Sequence, residues 1–260
     1  THPVLANCPD INQIIDWDEY QQQTDHVIIK RLIQLNADAI LFIFTHGRLA
    51  KLAKLAGIPK RIATGQKLQN WKSCNHLVNI SRRNSRLHEA QVNFKLLKPL
   101  GINQVIPTIQ QLPNYMQFKS SSRLSPEIQQ LLCQQRFNLI IHPGSNGHGR
   151  EWNVFNFADL IQQLPIDRFN IFITGRNHEQ QRFQADLIDK CPDAINLMDK
   201  MSLPEFIHFV AKCDGLIASG TGPLHLAAAT DINTLGLFPP RNGINPTKWT
   251  PIGRRATYLV

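Results

Sequence analysis

Residues able to hold a phosphate gather at two places in this chain. His142-Pro143-Gly144-Ser145-Asn146-Gly147-His148-Gly149-Arg150-Glu151-Trp152 follows the apolar run Asn138-Leu139-Ile140-Ile141 and precedes a helical pattern. Ser219-Gly220-Thr221-Gly222-Pro223-Leu224-His225 lies between a strand-like run, Gly215 to Ala218, and a helical one, Leu224 to Ala229. A strand, a glycine-rich turn and a helix in that order aim unpaired backbone N–H groups and the positive end of a helix at an anion. Two such turns in one half of a chain point to a ligand with a diphosphate. Neither is a dinucleotide fingerprint, which needs Gly-x-Gly-x-x-Gly and an acidic residue ~20 positions on. His225 stands where the third glycine belongs after Gly220 and Gly222, and Gly147-His148-Gly149 lacks it too. With no Walker A loop either, dehydrogenase and NTPase chemistry fit poorly. His225, one turn after Gly222, reads about equally well as a ligand contact and as a helix residue packed on a neighbouring strand.

The elements that must position these turns alternate. In the second half, strands are expected at Leu139–His142, Phe169–Thr174, Leu216–Ser219 and Thr234–Phe238, with a short one near Ile195. Helices are expected at Val154–Leu164, His178–Lys190, Leu203–Lys212 and Pro223–Ala229, with Ser202 and Glu205 as a capping box for the third. Alternating strands and helices imply a parallel, doubly wound sheet with ligands at the carboxyl ends of its strands, where both turns fall. The first half predicts helices at Thr24–Leu35, Leu49–Ala56 and Arg86–Leu100, with strands at Asp38–Phe44 and His76–Ile80. A linker is read over Pro107–Ser125, and a helix from Pro126 to about Gln135 follows it. The chain therefore divides into an N-terminal domain, 1–120, and a C-terminal domain, 121–260.

A length of 260 residues suits one large or two modest domains. Hydrophobic residues at 42% against 18% charged exclude a disordered chain. No apolar run is long enough to span a bilayer, and no signal peptide is visible. Five cysteines, scattered singly, give neither a zinc site nor a disulfide framework and fit the reduced thiols of a cytoplasmic protein. The net charge of +9 favours an anionic partner: nucleic acid, acidic headgroups or a phosphorylated glycan. Two basic clusters stand out, Arg82-Arg83-Arg86 and Lys51, Lys54, Lys60, Arg61, although each by itself reads as a solvated face. No nucleic-acid motif is present, and aromatic residues do not interleave with the cations, so nucleic-acid binding ranks last. Asp16-Trp17-Asp18 has the form of a divalent-metal site for a nucleotide sugar. It lies far from the phosphate turns and reads better as a helix start.

Several ordered segments resemble the bacterial family 9 glycosyltransferases, the lipopolysaccharide heptosyltransferases and their relatives. His142-Pro143-Gly144 with Arg150-Glu151-Trp152 is similar to the family's "HPG…(K/R)xW" signature. Ser219 to Ala229 is similar to its "(D)(S/T)GxxHLAAA" signature, and Lys200-Met201-Ser202-Leu203 to its "xMSL" segment. Phe238-Pro239-Pro240 and Pro251-Ile252-Gly253 follow as the family's tail does. The resemblance covers the second half and, more loosely, the first. It implies a GT-B fold, two Rossmann-like domains facing a cleft, with the C-terminal one holding a nucleotide-sugar donor and with neither cofactor nor bound metal.

By the same resemblance, Arg150 occupies the place of the basic residue on the donor phosphates, and Ser145 and Asn146 line that loop. Thr221 and Gly222 give backbone contacts to the diphosphate, Met201 lies against the adenine, and Glu179 is a weaker candidate for the ribose. Gly220 stands where many members carry an Asp that contacts the donor sugar, which leaves the sugar open. The family's proposed catalytic base is an Asp in an early strand and turn. That element is expected upstream of Thr1, so the N-terminal domain is read as lacking its first strand–helix unit. The implied activity is inverting, metal-independent transfer of a heptose or related sugar from an ADP-heptose-type donor to a lipopolysaccharide core or lipid-anchored acceptor. It is expected in the cytoplasm, peripherally at the inner face of the cytoplasmic membrane. The competing expectation is a non-catalytic nucleotide-sugar-binding remnant.

Overall fold

The computed structural model describes residues 2–82, 85–102, 105–145, 147, 150–240 and 246–260. The chain forms two compact units, Ile15–Thr108 on the one hand and Thr1–Ile14 with Ile109–Val260 on the other. The division expected at residue 120 thus falls at Thr108, and the opening segment joins the second unit. Its reason is local: the short helix α1 (His2–Leu5) packs on the later helix Leu203–Lys212. Beyond it, the Asn7 carbonyl accepts from the Lys119 N–H at 2.8 Å and the Asn7 side-chain oxygen from the Ser121 N–H at 3.1 Å.

The unit Ile15–Thr108 carries α2 (Trp17–Tyr20), α3 (Asp25–Gln34), β1 (Ala39–Leu41), α4 (Gly47–Leu55), β2 (Lys60–Thr64), α5 (Leu68–Ser73), β3 (His76–Val78) and α6 (Glu89–Phe94). Its strands form a parallel three-stranded sheet in the order β1-β2-β3. Asp16 caps α2, its carboxylate accepting from the Asp18 N–H at 2.9 Å. β2 is not among the expected strands; Lys60 and Arg61 open it, and Ile62 and Ala63 are fully buried. The helix expected over Arg86–Leu100 begins later, at Glu89, under a cap from His88. It tightens to 3-10 geometry over Lys95–Leu100, where Pro99 has no N–H to donate to the carbonyl four residues back. Gly101 ends it in the left-handed region, φ 82°.

The larger unit continues with α7 (Pro126–Gln129), β4 (Phe137–His142), α8 (Val154–Gln163), β5 (Phe169–Ile173), α9 (Asn177–Phe183, extended by a π turn to Ile188), β6 (Ile195–Asn196), α10 (Leu203–Lys212), β7 (Gly215–Ser219), α11 (Gly222–Ala229), β8 (Asn233–Leu237), α12 (Pro246–Trp249) and β9 (Ala256–Leu259). α7 stops short of the expected Gln135 because the chain beyond it is claimed by two asparagines. Asn138 exchanges hydrogen bonds with the backbone of Cys133, and Asn170 donates to the Leu131 carbonyl. The Ser202–Glu205 capping box is half-formed: Ser202 accepts from the Glu205 N–H, while the Glu205 carboxylate turns to the Ser125 N–H.

The six strands are all parallel, in the order β6-β5-β4-β7-β8-β9. Side chains alternate between two cores. Leu139, Ile141, Ile171 and Ile173 meet Phe157, Ile161 and Leu187 on one face. Ile140, Phe172, Leu216 and Ala218 meet Phe209, Leu224 and Ala227 on the other. Period two in the strands and helical spacing in α8 and α10 make those buried sets inevitable.

Candidate functional site

The strand order makes one place in the larger unit special. From β4 the chain runs outward to β5 and β6, then crosses back to lay β7 on the other side of β4. The connections leaving β4 and β7 therefore diverge to opposite faces and open a crevice at the carboxyl ends of those two strands. In register, His142 pairs with Ala218. The two glycine-rich turns picked out in sequence thus leave adjacent strands at the same level. A hydrogen bond ties them, with the Trp152 N–H donating to Ser219 Oγ at 3.1 Å.

The loop after β4 is closed on itself. Ser145 is buried, and both its N–H, at 2.7 Å, and its hydroxyl, at 2.9 Å, donate to Glu151 Oε1. The other oxygen of Glu151 takes Arg182 of α9 at 2.6 Å. Trp152 sets its ring edge-on to Phe157, 5.0 Å between centroids, which fixes the loop's exit into α8. Glu179, 4% exposed, accepts from the Arg176 N–H at 2.9 Å and lies under Gly144, where any Cβ would overlap its carboxylate. Glycine at 144 is therefore set by this close approach, since φ there is not positive. Arg150 is exposed at the end of the loop, and among the described residues no carboxylate pairs with it. Asn146 lies outside the described residues. Gly147, His178, Glu179 and Arg182 line an open pocket beside the loop.

At the root of that loop the His142 ring holds the Thr174 hydroxyl at 2.9 Å through Nδ1 and stands 6.2 Å from the Phe206 ring. Burial lowers its pKa from 6.5 to about 4, against the opposite pull of the Glu179 and Glu151 carboxylates. The imidazole is therefore neutral near pH 7 and serves as a wedge between strands rather than as a cation.

The turn after β7 is built differently. Thr221 precedes α11 in extended geometry, but its side chain does not cap the helix. Its Oγ1 is buried with no hydrogen-bond partner among the described residues. The first-turn N–H groups of Gly222 and Leu224 thus lack the side-chain acceptor a helix start usually provides, and Pro223 has no N–H to satisfy. Among the described residues, nothing lies within 4 Å of a Cβ built on Gly222. A Cβ on Gly220 would come within 2.9 Å of the Phe238 ring, so that ring occupies the place of a side chain at 220. His225, half-buried, follows one turn into α11, and its N–H reaches back to the Thr221 carbonyl at 3.4 Å. Met201 is half-buried against the core beside α10.

Of the residues read as site candidates, Ser145 and Arg150 belong to the β4 loop, Glu179 of α9 packs against that loop at Gly144, and Thr221, Gly222 and His225 belong to the β7 turn. Glu151, Arg182, Ser219 and Thr174 were not singled out as candidates. Glu151 was in plain view between Arg150 and Trp152, but a partner thirty-one positions away in sequence leaves no local signal. Among the described residues no cluster of His, Cys, Asp and Glu converges as a metal site, and no helix is long and apolar enough to cross a membrane.

Comparison with known proteins agrees with this architecture. The pattern of glycosyltransferase family 9 (heptosyltransferase) matches residues 26–260. A putative glycosyltransferase of Haemophilus influenzae is 30% identical over 94% of this chain and 72% of its own length. Lipopolysaccharide heptosyltransferase 3 of Escherichia coli is 22% identical over 96% of this chain and 75% of its own. Among solved structures, the E. coli ADP-heptose lipopolysaccharide heptosyltransferase II superposes with a TM-score of 0.70 at 19% identity, covering 99% of this chain and 77% of that one. The fold is accordingly the GT-B kind of α/β fold.

Proposed function

This chain belongs to glycosyltransferase family 9, the heptosyltransferases, and from that premise we propose that it transfers a heptose or a closely related sugar from an ADP-heptose-type donor to a lipopolysaccharide core acceptor. The observation that carries the reading is the pair of turns at the β4/β7 crevice, hydrogen-bonded to each other and leaving the amino end of α11 uncapped. Such a site suits a diphosphate, which bears the charge that helix N-termini attract.

In the proposed reaction an acceptor hydroxyl attacks the anomeric carbon from the face opposite the diphosphate. As that bond forms, the bond from anomeric carbon to phosphate oxygen breaks, and its electron pair leaves with the nucleoside diphosphate. The configuration is inverted, and a carboxylate on the acceptor side takes the hydroxyl proton. Negative charge grows on the departing diphosphate, where the Gly222 and Leu224 N–H groups and the Arg150 guanidinium offset it without a metal ion. Ser145 and Asn146 border the phosphates, and His225 stands one turn behind them. Met201 lies toward the adenine, and Glu179, which lines the pocket beside Gly147, toward the ribose. The acceptor is lipid-anchored, so the enzyme works at the inner face of the cytoplasmic membrane.

Arg150 gives the direct test, because it is exposed and its removal leaves the braced loop intact. Arg150→Ala is expected to weaken ADP binding by about 1.5–3 kcal/mol, the range of a charge-assisted hydrogen bond. Arg150→Lys loses less, keeping the charge but not the two-pronged fork. Calorimetry that finds unchanged ADP affinity in a folded Arg150→Ala protein removes this residue from the site.

A further inference from the structure

Between Asp38 and Glu89 the sequence carries ten lysines and arginines and no acidic residue, so this stretch holds the whole excess of a chain whose net charge is +9. Some of these cations have structural work. Arg48 pairs with Asp25 at 2.8 Å, Arg82 pairs with Glu89, and Arg61 donates to the Ser73 carbonyl at 2.8 Å. Lys54 donates to the Lys72 carbonyl at 2.9 Å and so pins α4 to α5. Lys51, Lys67 and Lys72 are exposed, and none of them forms a salt bridge among the described residues.

Among these lysines the surface is apolar where it should be polar. Leu68 is 83% exposed, Trp71 64% and Leu55 58%. α5 is held from behind by Asn70, fully buried and donating to the Thr64 carbonyl at 2.7 Å. Leu68 and Trp71, one turn apart, consequently point away from the fold. The Trp71 indole N–H is already spent on the Gly65 carbonyl at 2.8 Å, so its ring can leave water without stranding a donor.

We propose that the outer face of α4 and α5 docks the protein on an anionic lipid bilayer, with Leu68 and Trp71 entering the interface and Lys51, Lys67 and Lys72 meeting the headgroups. Apolar side chains flanked by lysines have the composition of interfacial helices, and neither half suffices alone. Trp71 offers one aromatic platform, whereas single-strand binding stacks successive bases on several, and the exposed Leu68 and Leu55 beside it add none. The inference rests on the membrane location proposed above and adds the surface that achieves it.

Sedimentation of the 260-residue protein with vesicles tests both separately. The protein is expected to sediment with phosphatidylglycerol-containing vesicles and not with phosphatidylcholine alone. Lys51→Gln/Lys67→Gln/Lys72→Gln is expected to lose on the order of a hundredfold in partitioning. Leu68→Ser/Trp71→Ser is expected to lose about tenfold or more. Calorimetric ADP affinity, read in the other unit, stays unchanged in both variants. Wild-type protein that ignores anionic vesicles overturns the membrane location itself. Wild-type binding that survives in both variants overturns this surface and leaves the location standing. Binding of RNA oligonucleotides with no vesicle binding assigns the patch to nucleic acid and overturns the proposal.

Discussion

The loop after β4 and the turn after β7 sit side by side, yet they are opposites in construction. In the first, the described groups at its base brace one another: Ser145 with Glu151, Glu151 with Arg182, Glu179 with the Arg176 N–H beneath Gly144. In the second, the Thr221 hydroxyl is buried with no partner among the described residues, and none of them comes within 4 Å of a Cβ built on Gly222. A buried hydroxyl left unbonded costs about 1–3 kcal/mol, an expense that a purely structural turn has no reason to keep. On the proposed function, the contrast gives the two segments different work: the β4 loop would be a wall, and the β7 turn the seat.

If the β4 loop is a wall, damage to it should appear as lost stability. Gly144→Ala carries the largest expected effect, because the new Cβ lands on the buried Glu179 carboxylate. Overpacking of this kind costs about 1–3 kcal/mol, toward the upper end where the obstacle is a fixed, hydrogen-bonded group. Adding Glu179→Ala in the same chain makes room, so the double variant should be more stable than the sum of the two single losses requires. Urea unfolding of the four proteins checks this. Strict additivity would show that the two positions do not meet.

The wall also has a pH signature. His142 titrates at about 4 in the folded protein, below its ordinary value of 6.5. Between those two values the unfolded chain binds a proton that the folded chain refuses. Stability is therefore full above pH 6.5 and falls as the pH drops toward 4, by up to about 3 kcal/mol from this residue. His142→Gln should flatten that part of the curve relative to wild type. A denaturation midpoint with the same pH dependence in both proteins would place the acid sensitivity elsewhere.

The seat was far easier to read from sequence than the wall. Ser219 to Ala229 announces itself by glycines, a proline at the helix start and an apolar helix, all local in the chain. The alternation of strands and helices, and with it the parallel sheet, was legible for the same reason. β2 was hidden by the cations at its edge and β9 by its exposed residues, so their burial patterns carried no clear period. The π turn that ends α9 and the early stop of α7 depend on contacts from Asn138, Asn170 and the core, none of them adjacent in sequence. The bracing of the β4 loop was invisible on the same grounds. The family resemblance marks Glu179 as a weaker candidate for the ribose, but its place beneath Gly144 is a tertiary fact.

If the β7 turn is the seat, damage there should spare stability and remove binding. At Gly222 a side chain has room, and φ is not positive, so Gly222→Val should fold as wild type does. The bulk instead fills the space in front of the Gly222 and Leu224 N–H groups and should lower ADP affinity at least tenfold, about 1.4 kcal/mol. Calorimetry on a variant with wild-type thermal stability decides it. Normal ADP binding by that protein would make Gly222 a packing residue and reverse the assignment of wall and seat.

The smallest effect is the most discriminating, because its two components have opposite signs. The resemblance to family members assigns Thr221 a backbone contact, which predicts that Thr221→Val leaves ADP affinity untouched. The unpartnered Oγ1 argues for the hydroxyl as well. Replacing it with a methyl of the same shape relieves a buried, unsatisfied group, so the free protein should become more stable by about 1 kcal/mol. Should the hydroxyl donate to a diphosphate oxygen in the complex, the same change should weaken ADP binding by about 1 kcal/mol or somewhat more, since the acceptor is charged. Thermal unfolding without ligand and calorimetry with ADP read the two components independently. Higher stability with unchanged affinity would return Thr221 to a backbone role, and lower stability would mean that its hydroxyl has a partner in the free protein after all.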